Sequence, residues 1–222
     1  MSRPGKRWYV RGMAGGAAAL LLAGCGGGGG DSAAKALGKA EVASVLPDAK
    51  AVPGWRTAMK PQAEARNPEL PPPACVTTSK KKHRTACDPV TFWGASAYVR
   101  ESDAASLNFW TLAYEDEKTA GAAYDALAEY YGGDRVGVDA VPVPIGEPGQ
   151  ERVSNRAKTG TMGGPATLTQ VRVGTTVLGV STGSQGTSAL SDDQVKALAA
   201  MFAERARQAQ DGDRPSAALP GR

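Results

Sequence analysis

The 222-residue sequence predicts an α+β fold: a single domain in which an antiparallel β-sheet is backed by helices. Three observations predict it. Residues 91–100 and 106–114 are aromatic-rich runs separated by Glu101-Ser102-Asp103, the pattern of an antiparallel hairpin. Residues 116–131 and 191–210 switch to the spacing of amphipathic helices. Short strand-like runs punctuated by Gly and Pro lie between them, so from residue 91 on the elements read β-β-α-β-β-β-β-α.

The elements follow in order. Residues 39–46 form a short helix with Val42, Val45 and Leu46 on one side, stopped by Pro47. From Pro47 to Pro73 the chain is rich in Pro and reads as extended loop, with Pro53-Gly54 a turn before Trp55. In the second strand of the aromatic hairpin, Leu107, Phe109 and Ala113 share one face and Trp110, Leu112 and Tyr114 the other. The helix that follows carries the stripe Ala120, Ala123, Tyr124, Leu127 and Tyr131, ended by Gly132-Gly133. Residues 136–143 are a weak strand, demoted by Pro142, and residues 151–158 are polar and alternate poorly. Residues 166–173 and 176–181 pair as a tight hairpin around Gly174-Thr175. Ser191 and Gln194 form a capping box, with Leu190 and Val195 as the hydrophobic staple. Behind it, Val195, Leu198, Ala199, Phe202, Ala206 and Ala209 mark the buried face of the last helix.

The N-terminus reads as an address rather than as fold. Arg3, Lys6, Arg7 and Arg11 precede a small apolar run, Met13 to Ala23, which is too short to span a membrane as a helix. Leu22-Ala23-Gly24-Cys25 then resembles the lipobox of bacterial lipoproteins, with residues 1–24 the signal peptide. Only a thiol is nucleophilic enough to take a diacylglyceryl group as a thioether, which makes Cys25 the lipidation site. Two or three acyl chains give stable anchoring. Residues 25–38 form a Gly-rich flexible tether, 39–210 the folded domain and 211–222 a disordered tail. The expected location is the extracytoplasmic face of the cell membrane. The net charge of +4 resides entirely in the leader's four basic residues, so the chain from Cys25 on is formally neutral. A nucleic-acid partner is therefore not expected. Outside the cytosol, Cys75 and Cys87 are expected to pair as a disulfide, worth about 3 kcal/mol in the chain-entropy model.

From about Leu46 to Gln210 the chain resembles the extracellular sensor domains of the PknH-type Ser/Thr kinases of actinobacteria. The residues that carry the resemblance are Leu46-Pro47-Asp48, Pro53-Gly54-Trp55, the Cys75–Cys87 segment, and Ala113-Tyr114 followed by the helix of Ala120, Tyr124 and Leu127. Arg172-Val173-Gly174 and the final helix complete it. Such domains occur attached to kinases or as stand-alone lipoproteins, and the resemblance implies a small-molecule cleft. This chain has one candidate cystine where those domains often have two, and it has no kinase segment.

The candidate chemistries narrow quickly. Gly179-Val180-Ser181-Thr182-Gly183 matches a nucleophile elbow, but the motif needs a later His and the single histidine, His83, comes earlier. No catalytic site, metal site or cofactor is expected. Two Cys and one His fall short of a zinc set, and Glu115-Asp116-Glu117 suits the start of a helix. Lys80, Lys81, Lys82 and Arg84 form the densest charge cluster, a candidate contact for an anionic surface or else a solvated loop tip. Trp55, Trp93, Tyr98, Trp110 and Tyr114 are the candidate ligand contacts, weighed against ordinary core packing. The function expected is a non-enzymatic, membrane-tethered binding or sensor-like domain for an envelope small molecule or protein. The alternative is an accessory lipoprotein that contacts a membrane protein and holds no small ligand.

Overall fold

The computed structural model describes residues 34–69, 71–75, 84–131, 139–160 and 162–221. The segment read as a signal peptide, Cys25, the glycine run expected to act as a tether, and Lys80, Lys81 and Lys82 lie outside the described residues. Among the described residues the chain runs α1 (Lys39–Val45), β1 (Arg56–Ala65), β2 (Phe92–Arg100), β3 (Ala105–Ala113), α2 (Glu117–Tyr131), β4 (Val141–Pro142), β5 (Glu151–Ala157), β6 (Ala166–Val173), β7 (Thr176–Ser184) and α3 (Asp192–Gln210). The strands make one antiparallel sheet in the order β1-β2-β3-β7-β6-β5-β4. The α+β expectation holds.

Alternation along the central strands sends side chains to two separate cores. Leu107, Phe109 and Ala113 of β3 join Tyr98, Leu178 and Val180 in a first core, closed by Val42 and Val45 of α1 and Leu198 and Phe202 of α3. Phe109 meets both Tyr98 and Phe202 edge to face, with ring centroids 6.1 and 5.1 Å apart. Trp110 and Leu112, on the opposite pleat, join Val177 in a second core with Ala120, Ala123, Tyr124 and Leu127 of α2. The bonded pair Cys75 and Cys87 lies in that second core. A sheet with one face under α1 and α3 thus has its other face covered only in part, by α2 and the cystine segment.

Local rules act where the sequence places them. Ser191 Oγ accepts from the Gln194 amide at 3.3 Å and Gln194 Oε1 accepts from the Ser191 amide at 2.9 Å, the reciprocal capping box of α3. The β6–β7 hairpin turns at Gly174, whose φ of +50° lies in the left-handed region.

Three expectations about loops need correction. Residues 56–65, read as loop, are the edge strand β1; exposed and less exposed positions alternate along it, but the less exposed ones are Thr57, Met59, Pro61 and Ala63, too mixed to read as an apolar face. The tether expected to reach residue 38 is already seated from Ala34 on. Its amide donates to Glu117 Oε1 at 2.8 Å, the Lys35 carbonyl accepts from Thr175 Oγ1 at 3.0 Å, and Leu37 is buried. Residues 211–221, read as a disordered tail, fold back along the first core. The Leu219 amide donates to the Ala51 carbonyl at 2.9 Å, Ser216 donates to Gln208 Oε1 at 2.7 Å, and Ala217 and Leu219 pack on core residues. The two apolar side chains and these backbone partners offset the ordering entropy that composition alone suggested would win.

Arg205 of α3 ties the first core together. Its guanidinium is buried, donating from Nε to the Val45 carbonyl (2.8 Å) and from Nη2 to Ser44 (2.8 Å) and Leu46 (3.2 Å). Nη1 reaches the Ala217 carbonyl of the tail at 3.0 Å. One cation thus closes the C-terminal end of α1, where the helix dipole favours positive charge, and holds the tail.

A groove on the open face of the sheet

The uncovered part of the second sheet face is a concave groove of about 420 Å³. Its floor follows from strand register. Asn108 of β3 is paired with Ser181 of β7, and Ser181 with Leu168 of β6, so the three side chains stand in one row on one face. Trp110 and Ser106 flank Asn108 along β3, while Met59 of the edge strand, Ala74 beside the cystine, Gly160 and Met162 contribute to the walls. The size is that of a small-molecule site.

Trp110 sets one end of the floor, and Gly179 explains how. A Cβ placed at Gly179 would stand 1.8 Å from Trp110 Cε2 and 2.3 Å from Nε1. The indole therefore lies directly on the β7 backbone, in space that only a glycine leaves. That is the role of the first glycine in Gly179-Val180-Ser181-Thr182-Gly183. The motif lies inside β7 rather than on a strand-to-helix turn, and Ser181 stands opposite Asn108, with no ionisable side chain among the described residues that line the groove with it. At the other end, Gly183 leaves room for the Met162 sulfur, which a Cβ there would approach to 3.2 Å.

The five aromatic residues expected at a ligand site are not brought together. Trp110 lines the groove and is almost wholly buried. Tyr98 and Tyr114 instead belong to opposite cores: Tyr98 donates its hydroxyl to the Pro47 carbonyl at 2.5 Å, and Tyr114 donates to the Ala86 carbonyl at 2.7 Å. Burial raises the pKa of both phenols, which the fold holds neutral. Trp93 packs against the second core, and Trp55 packs against the first with the Arg100 guanidinium 4.5 Å from its ring centre. Arg100 is in turn bound by Asp103 at 2.6 and 2.9 Å, a contact that holds the Asp103 carboxyl below its usual range. Arg84 is exposed.

The residues that sequence reasoning missed, Asn108, Ser181, Ser106 and Leu168, had a readable signal. Asn108 and Ser106 occupy the same pleat as Trp110, polar positions interrupting an apolar strand. What no local pattern shows is that β7 lies next to β3, which brings Ser181 alongside. Among the described residues no group of three or more His, Cys, Asp or Glu side chains is placed to hold a metal ion, and no helix is long and apolar enough to cross a membrane.

No protein-family model matches this sequence, and no curated protein matches it. Among solved structures, the extracellular domain of PknH from Mycobacterium tuberculosis is similar, with a TM-score of 0.51 and 12% sequence identity over 81% of this chain and 99% of that one. The chain thus shares the fold of a kinase's extracellular domain, which agrees with the resemblance carried by its short motifs.

Proposed function

We propose that this chain is a lipid-tethered extracytoplasmic binding domain, sensor-like and non-enzymatic, that holds a small envelope molecule in the groove beside Trp110. The observation that carries the reading is the groove itself. A sheet whose second face is only half covered leaves a concave, tryptophan-floored hollow with Asn and Ser side chains standing in register on its floor. The fold shared with an extracellular domain supports the extracytoplasmic setting. The leader and the lipobox at Cys25 supply the tether in this proposal, and Lys80, Lys81, Lys82 and Arg84 would face anionic headgroups at the membrane surface.

Native mass spectrometry of the full chain, purified gently from a related host, tests the ligand. An extra mass that leaves on denaturation and is absent from the groove-filling variant Ser181→Trp is the expected result. An apo mass in both refutes it. A second reading, docking on a membrane protein, is favoured by one feature: Val141 and Met162 are large apolar side chains left exposed, and Val141 borders a further hollow with Arg156 and Pro165. Crosslinking in the envelope through position 141 separates the two readings.

A further inference from the structure

The side chains around the groove restrict what it can hold. Met59, Ala95, Trp110, Met162, Ala166 and Leu168 give it an apolar surface, and Ser106, Asn108 and Ser181 give it hydroxyl and amide groups. Among the described lining residues none is ionisable. Three arginines of the sheet are engaged elsewhere: Arg100 with Asp103, Arg156 with Asp192 and the Leu190 carbonyl, Arg172 with Glu151. An ionic ligand would give up hydration here without meeting an opposite charge among the described lining residues, which is costly in a partly dry hollow. An uncharged one would not.

The polar groups are also available. Neither the Asn108 carboxamide nor the Ser181 hydroxyl makes a hydrogen bond within the described residues, although their backbones are paired. On the same pleat as Trp110, Gln170 is the register partner of Gly179. Its carboxamide is 1% exposed, and neither its nitrogen nor its oxygen has a partner. A buried donor and acceptor left unmatched is unusual in a folded protein, but this side chain is not one of those that line the groove.

We infer that the groove is built for an uncharged amphiphile, whose apolar body lies against Trp110, Leu168 and Met59 and whose hydroxyl- or amide-bearing head meets Asn108 and Ser181. The inference rests on the groove being the ligand site and adds the class of ligand. Methionines on the rim suit an apolar body of variable shape, because an unbranched thioether adapts to its partner. The paired Asn and Ser supply donors and acceptors without charge, as a hydroxyl-rich head requires.

A matched set of single-chain probes tests it on the full chain: octyl glucoside, octyl sulfate and octyltrimethylammonium, each below its micelle concentration, with methyl glucoside as the head alone. Binding is read by calorimetry and indole emission. Octyl glucoside is expected to bind about tenfold or more tightly than either charged probe and than methyl glucoside. Asn108→Ala and Ser181→Ala are each expected to weaken it by about three- to tenfold, with melting temperatures unchanged. A charged probe binding as tightly as octyl glucoside, or no binding by any of the four, overturns the inference. If a charged probe wins but is lost in Ser181→Trp, the neutral class fails and the groove stands. If octyl glucoside binds Ser181→Trp and Ala166→Phe as well as it binds the unmodified chain, the groove reading fails as well.

Discussion

Gly179→Ala is a one-carbon change whose consequence can be worked from distances. The added Cβ would lie 1.8 Å from Trp110 Cε2, 2.1 Å from Cζ2 and 2.3 Å from Nε1. Carbon atoms in favourable contact sit about 3.5–4.0 Å apart, so the indole must lift from β7 by roughly 1.5–2 Å or rotate away. Neither β3 nor β7 can yield instead, because both are central and paired on both sides. Overpacking of this kind costs about 1–3 kcal/mol. For a chain of this size each kcal/mol lowers the melting temperature by about 2–4 °C, which gives a fall of about 2–12 °C. Urea unfolding should show a lower midpoint at an unchanged m-value, since the exposed surface is nearly the same. Displacement of the indole should also change tryptophan emission, a change absent when Trp110→Phe is made in the same background. An unchanged midpoint together with unchanged emission would refute the placement of Trp110 on the β7 backbone, and with it the shape of the groove floor.

Other expectations follow from the same packing. Arg205→Met keeps the volume but leaves the carbonyls of Ser44, Val45, Leu46 and Ala217 without their donor, and should cost about 1–3 kcal/mol in urea unfolding. A loss under about 1 kcal/mol would mean that water replaces the guanidinium. Tyr98, Tyr114 and Tyr124 have pKa values raised by burial, so their contribution is complete below about pH 10 and is lost as pH rises through that value towards the folded one. Tyr114→Phe should flatten the alkaline stability curve by about 1.4 kcal/mol per pH unit, and an unaltered curve would count against a neutral buried phenol. Replacing Cys75 and Cys87 together by Ala should cost about 2–5 kcal/mol; equal stability before and after would remove the cystine from the second core's accounting. Cys25→Ser should release the chain from the membrane fraction into the medium, and retention would argue against the acyl tether.

Much of the fold was legible because its cues were local. The hairpin of β2 and β3, the helix from residue 117 with its Ala120, Ala123, Tyr124 and Leu127 stripe, the turn at Gly174 and the capping box at Ser191 are each set by a few adjacent residues. Even the division of β3 between two cores was readable from alternation, with Leu107 and Phe109 on one side and Trp110 and Leu112 on the other. The edge strand β1 was not legible, since a strand paired on one side needs little apolar alternation and Arg56 to Ala65 shows little. The seated tail was hidden for a different reason. Its attachment depends on Arg205 and Ala51, which come together with it only in the folded chain.

The groove was partly legible in the same sense. Trp110 stood out as an aromatic residue on a strand, but so did Tyr98 and Tyr114, and only the closure of the two cores separates them. Asn108 and Ser181 become a pair through the β3–β7 crossover, a non-local contact that carries no sequence signature. Gly179 looked like part of a catalytic motif. The indole resting on it gives the glycine a packing reason that needs no chemistry at Ser181.

Fluorine NMR of the full chain labelled with 5-fluorotryptophan tests the central claim most directly. Besides Trp8 in the N-terminal segment, Trp55, Trp93 and Trp110 lie in distinct settings, and Trp110→Phe assigns the resonance that matters. On addition of a neutral envelope extract, the Trp110 resonance is predicted to shift while those of Trp55 and Trp93 stay in place. A spectrum in which Trp110 does not respond, or in which only Trp55 or Trp93 moves, would contradict a ligand site in the groove.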